Sequence, residues 1–169
     1  MQFWSTILAA IVGGIIAIGG VFAGKIYERR KERKSLRAAL RAEIQAILDI
    51  VERRHYIAHL SEFIEAIKAG SISFFERRVA KDYDMVFRSN CGKLGLLPSE
   101  TVAETVRFYY LVSSIVEDLV LLQDAAGSAS LQTRYRLNTQ AGNLAFHKEM
   151  QQLSIETVKL GNDLVQELA

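Results

Sequence analysis

Glu52, His55, His59 and Glu62, in the stretch ERRHYIAHLSE, are the residues whose types and spacing come closest to chemistry. Imidazoles four apart, each with a carboxylate three residues away, are the donor types that bind zinc or a carboxylate-bridged metal pair on helices. At about 100° per residue all four share an arc of about 80°. That arc points away from the neighbouring stripe of Ile57, Leu60 and Ile64, so it belongs to a charged face turned to solvent. A two-metal site also takes ligands from several helices. No second Glu-x-x-His exists, since His147 and Glu149 have the wrong spacing. The expectation is therefore no metal site, no cofactor and no catalytic residue: the chain is not read as an enzyme.

The remaining reactive residues point the same way. Cys91 has Lys93 nearby but no histidine to activate it, and reads as a small loop or core residue. As the single cysteine it excludes an intramolecular disulfide and suits a reducing compartment. Gly92 and Gly95 follow no strand and do not make a phosphate loop. Tyr109 and Tyr110 suit packing, with one hydroxyl near the surface.

The strongest signal is physical rather than chemical. Phe3 to Gly24 carries no charge over 22 residues. As a helix this run is about 33 Å long, enough for a hydrocarbon core of about 30 Å. Val21-Phe22-Ala23 offers small residues to a signal peptidase, but the run is long and no Lys or Arg precedes it, so a retained span is expected. Ala9, Gly13, Ala17, Gly20 and Gly24 fall within about 80° of the helix circumference. Such a small-xxx-small face lets backbones approach, so self-association or pairing with another single-pass helix is expected.

The charge then fixes the orientation. Residues 25–41 carry Lys25, Arg29, Arg30, Lys31, Arg33, Lys34, Arg37 and Arg41 against Glu28 and Glu32, a net +6. Since the whole chain is +2, residues 42–169 hold −4. Lys and Arg near a span stay on the cytoplasmic side. The expected topology is a bacterial inner-membrane protein with its N-terminus outside and residues 25–169 in the cytoplasm. Lys25, Arg29, Arg30, Lys31, Arg33 and Lys34 also attract anionic lipid headgroups. The acidic remainder argues against nucleic acid as a partner.

The rest of the 169-residue chain has one proline and few turn clusters, which favours long helices. Nothing breaks a helix from Lys25 to Ala69, and Gly70-Ser71 supplies a stop. Leu36, Leu40, Ile44, Ile47 and Val51 form one stripe, and Ile57, Leu60, Ile64 and Ile67 another rotated from it. The rotation implies a change of neighbours along the helix. Ser73-Phe74-Phe75-Glu76 matches a capping box for a short helix to about Arg88. SNCGKLGLLP reads as a loop. Pro98-Ser99-Glu100 opens a helix that Gly127 closes, apolar on two faces and expected to be the central element. A last helix to Leu168 spaces Phe146, Met150, Leu153, Leu160, Leu164 and Leu168 by three, four or seven residues. The predicted fold is all-α: a transmembrane anchor at 1–24, a basic stem at 25–45, and an antiparallel bundle of about four helices at 46–169.

The stretch NCGKLGLLPSETVAETVRFYYLVSSIVEDL resembles small bacterial membrane-anchored proteins with an N-terminal span, a basic stem and a helical cytoplasmic domain. The specific likeness is a Gly-x-Leu…Pro turn before a Tyr-containing helix. The resemblance implies a bacterial inner-membrane setting and carries no activity or site residues. The function expected is non-enzymatic interaction or scaffolding by a self-associating membrane protein. The alternative is a subunit of an oligomeric pore, or an accessory subunit of a transport complex. Beyond Ser5 and Thr6 the span offers no polar group to wet a lumen.

Overall fold

The computed structural model describes the backbone of residues 2–70 and 82–169 and the side chains of residues 24–70 and 82–169. These residues are mostly helical, with no strand among them. Six α-helices follow in order: α1 (Gln2–Arg53), α2 (Tyr56–Lys68), α3 (Met85–Asn90), α4 (Ser99–Ala126), α5 (Ala129–Arg134) and α6 (Gln140–Glu167). A 3-10 turn, Cys91–Leu96, occupies most of the segment expected to be loop. Among the residues whose side chains are described, no helix is long and apolar enough to cross a membrane. The predicted span at 3–24, with Ala9, Gly13, Ala17 and Gly20 of its small face, lies outside the residues whose side chains are described. So does the capping box Ser73–Glu76.

The helix expected to run unbroken from Lys25 to Ala69 is interrupted at Arg54 and His55. His55 adopts the left-handed conformation, φ 49° and ψ 39°, and starts α2. The rotated stripes explain the break. An uninterrupted helix would turn Leu60 about 120° away from Leu48. One left-handed residue resets the phase, so that Leu36, Leu40, Ile44 and Leu48 and then Tyr56, Leu60, Ile64 and Ile67 are all buried. Backbone bonding barely suffers, since His55 N–H still donates to the Glu52 carbonyl (2.9 Å) and His59 N–H to that of His55 (2.9 Å). At the far end α2 stops at Gly70, whose φ of 93° lies where side chains are disfavoured.

α4 begins after Pro98 and ends at Gly127 as expected. The central element, however, is α6. It lies against α1, α2 and α4 at once. It runs antiparallel to all three, pairing Gln140 with Ile67 at one end and Glu167 with Thr101 and Arg37 at the other. Its buried positions are Asn143, His147, Met150, Ser154, Thr157, Gly161 and Leu164, alternating steps of four and three. This is a seam of mostly small or polar residues, whereas Phe146, Leu153 and Leu160 from the expected stripe are half-buried beside it. Small side chains let a middle helix sit close to neighbours on several sides. At Gly161 a Cβ would meet Phe108 Cε2 at 2.7 Å and Leu48 Cδ2 at 2.9 Å.

The α5–α6 junction is fixed locally. Thr139 caps α6 by accepting the Gly142 N–H (3.2 Å). Gly142 lies under the Arg136 carbonyl, which a Cβ would strike at 2.2 Å, so no side chain fits there. Two apolar clusters form the core. One joins Leu36, Leu40, Ile44 and Leu48 to Phe108, Tyr109, Val112 and Leu164. The other joins Tyr56 and Leu60 to Leu119, Leu122, Leu137 and Met150.

Candidate functional site

The basic stem stands clear of the bundle. Residues 24–35 are all exposed, and core packing begins at Leu36, inside the segment read as stem. At about 100° per residue, Lys25, Arg29, Arg30, Lys31, Arg33 and Lys34 spread over about 240° of the circumference of α1, with Glu28 and Glu32 in the remaining arc, and form a broad collar rather than a narrow patch. Gly24, at the top of this collar, is exposed too.

The Glu52, His55, His59 and Glu62 set does not converge. The break leaves Glu52 on α1, puts His55 just before α2, and places His59 and Glu62 on α2. His59 Nδ1 is 3.2 Å from Glu62 Oε2, an exposed pair within one turn. The His55 and His59 ring centres stand 6.4 Å apart. Among the described residues no group of three or more His, Cys, Asp or Glu is placed to hold a metal ion.

The polar convergence that does exist was invisible in the sequence. Glu43, on α1, points its carboxylate at the start of α3. Its Oε1 accepts the Val86 N–H (2.7 Å), and its Oε2 accepts the Phe87 N–H (2.9 Å) and the Tyr109 hydroxyl (2.6 Å). These amides are among those a helix start leaves unpaired, so Glu43 caps α3 from another helix, and its negative charge suits that end of the dipole. The Phe87 ring stacks on Tyr109 with centres 4.1 Å apart. Asp84 and Arg88 close the outer side with a 2.7 Å ion pair. Burial, followed by the bond to Glu43, holds the Tyr109 phenol far above its usual range, so it stays protonated and donates. Tyr110, its neighbour, is exposed.

Two further ionisable groups are drawn into the bundle, His147 on α6 and Asp118 on α4. His147 is buried, its Nδ1 donating to the Asn143 carbonyl (2.9 Å) and its ring stacked on Phe63 with centres 5.0 Å apart. Burial lowers its pKa below the usual imidazole value, against the raising effect of that carbonyl. Its contribution to stability is complete above about pH 6.5 and is lost as the pH falls. Asp118 behaves oppositely. Burial first, then the carboxylates of Glu149 and Glu117, push its carboxyl up to about 6. The folded state thus holds this proton more tightly than the unfolded chain, and ionising Asp118 costs stability above about pH 6. Asp118→Asn is expected to raise stability at pH 7.5 by about 1 kcal/mol, after allowance for the screening of a half-buried group. By pH 4 the gain should vanish, leaving the acid sensitivity of His147. Denaturant unfolding at both pH values measures this, and an equal gain at both would mean that charge is not its source.

Cys91 is exposed at the start of the 3-10 turn, and its thiol donates to the Phe87 carbonyl at 3.3 Å. Among the described residues no histidine or carboxylate pairs with it, and it reads as a simple surface thiol. No family model, no curated protein and no solved structure matches the chain.

Proposed function

We propose that this is a single-pass inner-membrane protein, N-terminus outside, whose cytoplasmic bundle serves protein–protein interaction or scaffolding rather than catalysis. α1 carries the reading. One helix of 52 residues joins the uncharged run at 3–24 to the bundle core without a hinge. Between them residues 24–35 form a bare, basic stalk about 18 Å long. Such a rod holds the bundle at a set distance and orientation from a bilayer, while its basic collar meets anionic headgroups. Glu43 has both carboxylate oxygens committed to α3 and Tyr109. That supports a structural use of the polar groups. Self-association runs through the face of Ala9, Gly13, Ala17, Gly20 and Gly24.

The exposed Cys91 makes the topology testable in the native chain. The protein should fractionate with membranes, and a membrane-impermeant thiol reagent should label Cys91 only after lysis. Labelling in intact cells would overturn the orientation. In the same membranes, replacing Gly13 and Gly20 by leucine should lower the cross-linked oligomer, and an unchanged yield would remove the span from the association.

A further inference from the structure

The two core clusters do not meet cleanly. Between them, where α1 breaks into α2, lies a cavity of about 140 Å³ walled by α1, α2, α4 and α6. Leu48 and Val112 reach it from the first cluster, and Leu60, Leu119 and Met150 from the second. Its origin is geometric. The phase reset at His55 turns both stripes inward but leaves a gap at the level of the break. There α4 presents the half-buried Ile115 and Val116, between the buried Val112 and Leu119. Ile50, 51% exposed, marks a mouth to solvent.

The walls are almost entirely apolar. The two hydroxyls that α6 contributes have their hydrogens committed, Ser154 donating to the Met150 carbonyl (2.8 Å) and Thr157 to that of Leu153 (2.7 Å). Arg54, Tyr56 and Tyr83 also line the cavity but add little polar surface to it, a poor setting for an ordered water, which takes two to four polar partners. Protein interiors rarely keep voids larger than a water molecule, and an engineered apolar cavity of about 150 Å³ stays dry and admits benzene. We propose that this cavity is a binding site for a compact apolar molecule, one aromatic ring or a short branched hydrocarbon group, entering beside Ile50. A lipid acyl chain is too long for it. At 1.5 Å per residue Ile50 is also about 39 Å along α1 from Gly24, so the ligand arrives from solution rather than from a bilayer.

Toluene is the probe, added to the full-length protein in lipid nanodiscs with its methyl groups observed by NMR. Saturable shifts are expected at the Met150 ε-methyl and the Leu119 and Val112 methyls, with Leu36 unmoved, together with a rise in the unfolding midpoint of about 3 °C. Ser154→Ile fills the cavity from α6 and Val116→Phe from α4. Either variant, with Leu36 methyl signals still native, should abolish the shifts. No saturable shift at Met150 and Leu119, equal movement at Leu36, or shifts that persist in both filled variants would overturn the proposal.

Discussion

Glu43→Ala is expected to cost about 3 kcal/mol of folding stability, far more than a surface glutamate normally contributes. Three donors lose their acceptor at once: the amides of Val86 and Phe87 and the hydroxyl of Tyr109. Hydrogen bonds to a charged group contribute about 1.5–3 kcal/mol each, but the three share one carboxylate and are not additive. Partial access of water to the site lowers the total further. The effect should also be local. Amide exchange at Val86 and Phe87 should quicken while the middle of α6 stays protected, because α3 loses its cap whereas the seam is untouched. Glu43→Gln keeps the shape, but its amide nitrogen meets donors and satisfies none, so it should recover only part of the loss. Tyr109→Phe removes one bond and keeps the stacking on Phe87, and should cost about 1 kcal/mol. If Glu43→Ala costs no more than Tyr109→Phe, the cap contributes nothing.

Gly161→Val should be at least as damaging. The first added carbon already meets Phe108 Cε2 at 2.7 Å and Leu48 Cδ2 at 2.9 Å. Both belong to a core cluster in which Phe108 is fully buried. Neither neighbour can retreat without moving a helix, and overpacking of this kind costs typically about 1–3 kcal/mol, with valine at the upper end or beyond. Gly161→Ala should fall lower, since alanine recovers about 1 kcal/mol of helix propensity. Gly127 provides the comparison. It has nothing within 4 Å of a notional Cβ, and its φ is −97°, which alanine tolerates. Gly127→Ala should therefore leave stability almost unchanged. Denaturant midpoints of the three variants decide the matter, and a tolerated valine at 161 would contradict the close approach of α6 to α1 and α4.

The sequence discloses the helices of this protein better than it discloses their partners. Both ends of α4 were legible because Pro98 restricts the backbone at its start and glycine is enriched just past a helix end. The break at His55 was half legible. The rotated stripes demanded a change of course, but no glycine or proline marked the place, because a single left-handed residue is a small cost repaid by burial of Leu60 and Ile64. The seam of α6 misled apolar counting. There, closeness to several helices selects Ser154, Thr157 and Gly161 and displaces Phe146, Leu153 and Leu160 to its flanks. Glu43 was illegible from sequence, since its partners lie 43, 44 and 66 residues away and no short motif spans such distances.

The bare stretch of α1 before Leu36 has a consequence for how such a chain tolerates change in length. Each residue inserted among positions 24–35 would swing the bundle by about 100° about the axis and lift it about 1.5 Å, leaving every core contact intact. The same insertion a few residues later would drive Leu40, Ile44 and Leu48 out of register with α6. The stalk thus works as an indexing dial, on which the azimuth presented to neighbouring molecules is set independently of the fold.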